Sequence, residues 1–121
     1  MKAIVILSEQ HSLFPQQITL LDAMFESWHI EQIPAAGINQ AEIRELAKNL
    51  ASEMVFDTQI VIGSPIPLLL KLLSWEAGYL TMEGAGGEYS VSVFHNDHRD
   101  KKELPGGKII QVVSKTGWEL V

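Results

Sequence analysis

The sequence predicts a single α/β domain over residues 1–121, with a mostly parallel sheet and a C-terminal antiparallel hairpin. Three observations carry this. Ala3-Ile4-Val5-Ile6-Leu7 and Thr58-Gln59-Ile60-Val61-Ile62 are short apolar runs rich in β-branched residues, the pattern of strands buried on both faces. Each is followed by a helix-period stretch instead of a tight turn, which is how parallel strands are joined. Past Tyr89 the helical periodicity gives out, and three short apolar runs separated by turn residues close the chain. The resulting order, β-α-β-α-β-α-β-β-β, describes a Rossmann-like core with an antiparallel extension.

The first strand, Ala3 to Leu7, breaks at the polar loop Ser8-Glu9-Gln10-His11-Ser12. Pro15 suits the first turn of the helix that follows, and Ile18, Leu20, Leu21, Met24 and Phe25 supply its apolar face. His29 to Ile33 reads as a short second strand, and Pro34 to Gly37 turns the chain. Asn39 is an N-cap, with Glu42 three positions on completing a capping box for a helix that runs to about Met54. The third strand, Thr58 to Ile62, stops at Gly63-Ser64-Pro65. Ile66 to Trp75 is a helix apolar on nearly all sides, closed by Gly78. Burial on both faces, in a subunit interface, is expected of it. Thr81 to Glu88 is a flexible connection, with Gly84-Ala85-Gly86-Gly87 as a mobile turn. The fourth strand is Tyr89 to Phe94. Leu104-Pro105-Gly106-Gly107 turns the chain again. Lys108 to Val113 and Trp118 to Val121 are then expected to pair as a hairpin about the Ser114–Gly117 turn.

The totals narrow the function. No cysteine is present, so disulfides, thiolate nucleophiles and cysteine–zinc sites are excluded, and a cytoplasmic setting is expected. The apolar N-terminal run is too short for a signal peptide, and no run is long enough to span a membrane. A net charge of −6 argues against binding long nucleic acid, which needs a basic face. It leaves room for a small anionic ligand, because Arg99, Lys101, Lys102 and Lys108 form a local basic cluster.

In a parallel sheet, ligands bind beyond the carboxyl ends of the strands. Three such ends carry polar residues here: Ser8 to His11, Gly63-Ser64, and His95-Asn96-Asp97-His98-Arg99. Gly63-Ser64 opens a helix, whose free amides and dipole suit an anion, although capping alone also accounts for Ser64. His95 or His98 suits a general acid–base or phosphate-orienting role, and Arg99 suits paired contacts to phosphate oxygens. The plainer alternative has His95 bonded within its loop, His98 solvated, and Arg99 paired with Asp97, Asp100 or Glu103. No metal site is expected, because histidines at i and i+3 beyond a strand lack a third ligand. Gly84 to Gly87 lacks the flanking strand and helix of a dinucleotide fingerprint. Ser8 lacks the Gly-x-Ser-x-Gly elbow of a serine nucleophile.

Leu7-Ser8-Glu9-Gln10-His11-Ser12-Leu13-Phe14-Pro15-Gln16-Gln17 resembles the opening of small CRISPR-associated proteins with a CARF-like fold. There a strand ends in Ser-x-x-His-x-Leu, and Pro and Gln follow as a helix begins. The matching residues are Ser8, His11, Leu13, Pro15 and Gln17. The segments Phe94 to Asp97, Arg99, Lys101 to Pro105, Gly107-Lys108 and Gly117-Trp118 are similar to the tail of such proteins. The chain departs from one pattern of the family, a Thr/Ser-Lys/Arg pair after the fourth strand, and has His-Asn-Asp-His-Arg instead.

The resemblance implies a CARF-like domain that binds a cyclic oligoadenylate across a homodimer, or within a higher oligomer, in antiviral defence. For ring nucleases of this kind it implies cleavage without a metal or other cofactor: a ribose 2′-hydroxyl attacks its own phosphodiester and leaves a 2′,3′-cyclic phosphate. On this reading His95, His11 and Arg99 are the catalytic candidates. Ser8, Gly63, Ser64, Asn96, Arg99 and Lys102 are the ligand-binding candidates, with Lys102 at the rim. Two other functions fit the same residues: a module that binds the nucleotide without turnover, and an interaction protein with no small ligand that works through the Leu68–Trp75 helix. The lack of a fused effector domain favours degradation of the signal, or a separate partner.

Overall fold

A computed structural model describes residues 1–84 and 87–121. The apolar run near the N-terminus forms β1 (Lys2–Ser8), and Ala3 through Leu7 are all buried. Side chains alternate across a strand, so this one element feeds two cores. Ala3 and Val5 pack with Leu21, Phe25 and Val61 on one face. Ile4 and Ile6 pack with Ile60, Ile62, Leu69 and Leu73 on the other.

Pro15 starts α1 (Pro15–Met24), as its fixed φ and missing N–H favour. Gln17 reaches back to accept the Phe14 N–H at 2.8 Å and is buried in doing so. The apolar face of this helix is narrower than the sequence suggests. Leu21 and, just past the end, Phe25 are buried, whereas Ile18 and Met24 face solvent. The second strand, β2 (Ser27–Ile33), begins two residues before the expected start and lies at the sheet edge, which explains its polar sequence. The capping box at Asn39 is formed: Glu42 N–H donates to Asn39 Oδ1 at 2.8 Å, and Asn39 N–H donates to Glu42 Oε1 at 3.2 Å. It opens α2 (Gln40–Met54), which buries Ile43, Ala47, Leu50, Ala51 and Met54. β3 (Thr58–Ile62) lies beside β1, with Ile6 opposite Ile62.

The third helix, α3 (Pro67–Met82), differs from expectation at its end. Gly78 does not end it: a glycine inside a helix costs only about 1 kcal/mol, and packing of Leu73 and Ala77 carries the helix through. Its outer face carries Trp75, Tyr79 and Met82, which are exposed in the single protomer. Of the Gly84–Gly87 turn, Ala85 and Gly86 lie outside the described residues.

β4 (Val91–His95) pairs with β3 in parallel. The chain end is arranged differently from the expected hairpin. Arg99–Glu103, which contains no apolar residue, is a strand, β5, and it pairs antiparallel with β6 (Ile109–Val113). Their turn is closed by Leu104 N–H to Lys108 O at 2.7 Å. β7 (Glu119–Leu120) returns instead to the main sheet, antiparallel to β4. The five-stranded sheet therefore has the order β2-β1-β3-β4-β7, mostly parallel, and β5-β6 is a separate two-stranded ribbon. This is an α/β architecture compatible with a Rossmann-like fold. Among the described residues, no helix is long and apolar enough to cross a membrane.

Candidate functional site

The sheet order places β1 between the two directions in which the chain winds. From β1 the chain goes outward through α1 to β2, then crosses through α2 to β3 on the other side. Neighbouring β1 and β3 thus form the topological switch point, where their carboxyl ends splay and leave a crevice. Ser8 ends β1, and Gly63-Ser64 follows β3.

Local bonding draws these residues together. The N–H groups of Gly63 and Ser64 both donate to Ile6 O, at 2.8 and 3.0 Å, bending the chain over the end of β1. This close approach favours glycine at 63. A Cβ there would lie 3.0 Å from Ile6 O and 3.0 Å from Leu7 Cδ1. Gly63 is therefore a positioning residue that lets Ser64 reach Ser8. Ser64 is 4% exposed, and its Oγ accepts the Ser8 N–H at 2.8 Å. The same Oγ lies 2.8 Å from His11 Nδ1. A tight turn brings His11 back to this point, with His11 N–H donating to Ser8 O at 2.9 Å.

The hydroxyl of Ser64 assigns the tautomer of His11. With one lone pair taken by Ser8 N–H, the buried Ser64 O–H is satisfied if it donates to Nδ1, and it has no other acceptor among the described residues. The ring proton of neutral His11 then resides on Nε2. Exposed His11 thus offers an N–H donor beside a cavity of about 400 Å³ lined by Ser8, His11, Pro34, Ile38, Ser64 and Pro67. The turn after β2, missed as part of the site, closes one wall. It is tied to the first loop by Ala35 N–H donating to Glu9 Oε1 at 2.7 Å. Its signal was available: β2 is also parallel to β1, so its end meets the same edge.

The helix-terminus anion site expected at Gly63-Ser64 is not built. α3 starts at Pro67, its N-cap is Ile66, and Ser64 makes no cap. Pro65 and Pro67 have no N–H to offer, and Ser64 N–H is spent on Ile6 O.

At the end of β4 a second group forms, sharing no residue with the first cavity and no hydrogen bond with Ser8, His11 or Ser64 among the described residues. It borders a cavity of about 470 Å³ lined by Phe94, His95, Asn96, Asp97, Arg99 and Trp118. His95 Nε2 pairs with Asp97 Oδ1 at 2.7 Å, but both side chains are at least half exposed, so the pair is weakly held. Asn96 lines the same cavity but is turned largely inward. It is 7% exposed, and its amide is consumed within the fold. Nδ2 donates to Thr116 O at 2.8 Å, and Oδ1 accepts His98 N–H at 2.8 Å. The staple requires Gly117, at φ +84°, where a Cβ would stand 2.5 Å from His98 Nδ1. Arg99 makes no ion pair among the described residues. Its Nη1 donates to Asn96 O at 2.7 Å and His98 O at 2.8 Å, and these leave Nε and Nη2 without a partner among the described residues. Lys102 lies within β5 on the outlying ribbon and borders neither cavity, so the rim position expected for it is not formed.

Of the sequence-derived candidates, Ser8, His11, Gly63 and Ser64 converge. His95, Asn96 and Arg99 form a separate group on the same sheet edge, with the Asn96 amide bonded within the fold, and Lys102 lines neither cavity. Among the described residues, no three His, Asp or Glu are grouped to hold a metal ion. Compared with known proteins, the chain matches no family model, no curated protein and no solved structure.

Proposed function

We propose that this chain is a CARF-like domain that binds a cyclic oligoadenylate at the β1/β3 switch point and opens the ring without a metal, as a homodimer. The observation that carries the reading is the Ser8–Ser64–His11 cluster. Two of its members, Ser8 and His11, belong to the segment whose residues resemble that family, and the cluster borders a crevice where folds of this order take ligands.

In the proposed reaction a ribose 2′-oxygen bonds to its own phosphorus and the P–O5′ bond breaks. The 2′-hydroxyl proton is lost to water, the 5′-oxygen takes one up, and a 2′,3′-cyclic phosphate remains. His11, with its proton on Nε2, serves as a hydrogen-bond donor to a non-bridging phosphate oxygen as charge accumulates there, and not as a base. Ser64 holds the ring. The free Nε and Nη2 donors of Arg99 add a contact for a ligand large enough to span the ends of β3 and β4. The rest of the acceleration comes from holding the 2′-oxygen in line with the leaving oxygen.

Incubation with cyclic tetraadenylate and cyclic hexaadenylate in EDTA, read by chromatography, tests this. Linear products ending in a 2′,3′-cyclic phosphate are expected. Tight binding with the ring intact would instead identify a receptor built on the same donor, and absence of binding would overturn both.

A further inference from the structure

The β5-β6 ribbon stands apart from the body of the protein. Neither strand packs extensively on a helix or on the five-stranded sheet. An isolated two-stranded hairpin is marginal in water unless its apolar face is covered. The pairing register puts Ile109, Gln111 and Val113 on one face with Arg99, Lys101 and Glu103. Ile109 is 63% exposed at one end of that face, and Val113 is exposed at the other, with Gln111 between them. The charge of the segment is opposite to that of the rest. Residues 99–115 hold five of the nine basic residues and two of the fifteen acidic ones, a net of +3, so the remainder carries −9.

A second surface has the complementary character. On α3, Trp75, Tyr79 and Met82 recur at helical spacing and lie on one exposed stripe. Trp75, 64% exposed, is stacked on Tyr79 with ring centroids 5.5 Å apart. Glu76 and Glu83 flank this stripe, with Lys71 one turn before Trp75. One surface thus sets two apolar side chains among mostly basic neighbours, and the other sets an apolar stripe beside mostly acidic ones.

We infer that these are the two halves of one interface between copies of this chain: the β5-β6 ribbon of each protomer lies on the outer face of the partner's α3. Reciprocal exchange of two arms closes a two-fold dimer and leaves no complementary surface open. The apolar contact supplies affinity, and the opposed charges supply orientation and rate of encounter. This goes beyond the nucleotide reading by stating where copies meet, and it does not depend on any ligand.

The test is made without nucleotide. Sedimentation velocity on the full chain should show a dimer that weakens as salt is raised, since the flanking pairs are exposed. Trp75→Glu and Val113→Glu should each weaken association by about tenfold or more, with circular dichroism reporting that the fold is kept. The chain has no cysteine, so Val113→Cys and Tyr79→Cys proteins, mixed and oxidised, should give a disulfide-linked heterodimer. A monomer at all salt concentrations would overturn the inference. So would a dimer that keeps its affinity in both glutamate variants, or one that fails to cross-link. Failure here would leave the cyclic-nucleotide assay to decide the catalytic reading separately.

Discussion

The hydroxyl of Ser64 sits 2.8 Å from Nδ1 of His11, a contact between residues 53 apart in sequence. It joins the ends of β1 and β3 and leaves Nε2 of His11 as the group presented outward. Ser64→Ala removes the acceptor of Ser8 N–H as well as the partner of His11. A stability loss of about 1–3 kcal/mol in denaturant unfolding is expected from the unsatisfied buried amide. Nitrogen NMR of the ring should show the Nε2–H tautomer in the wild type and a mixture of tautomers in the variant. Nδ1–H as the main wild-type form would contradict the assignment.

Gly63→Ala tests whether the close approach at the switch point matters. The added methyl meets a backbone oxygen and a leucine side chain at 3.0 Å, so Ile6 O and Leu7 must give by a few tenths of an ångström. A loss of about 1–3 kcal/mol is expected, with weaker nucleotide binding than Ser64→Ala alone produces.

Asn96→Asp separates a structural from a ligand-binding role. The carboxylate would face Thr116 O where Nδ2 now donates, placing two acceptors in contact. Destabilisation of about 1–3 kcal/mol is expected, with no change in nucleotide affinity measured well below the melting temperature. Unchanged stability with lost affinity would return Asn96 to the ligand site.

Leu69→Ala probes the core beneath the site. Leu69 is fully buried between α3 and the sheet. A cost of about 2–5 kcal/mol in chemical denaturation is expected, depending on how far the neighbours collapse into the space.

What the sequence revealed follows from which signals are local. β1 and β3 announce themselves because each is an unbroken β-branched run, and the Asn39–Glu42 cap because its partners are three residues apart. β5 was illegible because Arg-Asp-Lys-Lys-Glu has no apolar alternation when neither face is buried. Without a strand signal in Arg99–Glu103, the only apolar run near β6 is Trp118 to Val121, and the pattern pairs those two. The return of β7 to β4 depends on tertiary contacts of Trp118 with Phe94 and Phe14. The convergence of Ser8 and Ser64 at one edge followed from topology. Their hydrogen bond to each other and to His11 did not, nor did the inward commitment of the Asn96 amide.

The most direct test of the account is a titration of the isotope-labelled chain with cyclic tetraadenylate and cyclic hexaadenylate, followed through backbone amide and histidine ring signals. The account predicts that the largest shifts fall on residues 8–11, 34–38 and 63–64 and on His11 Nε2, with smaller ones at 95–99. No shifts with either ring, or shifts confined to 95–99, would contradict it.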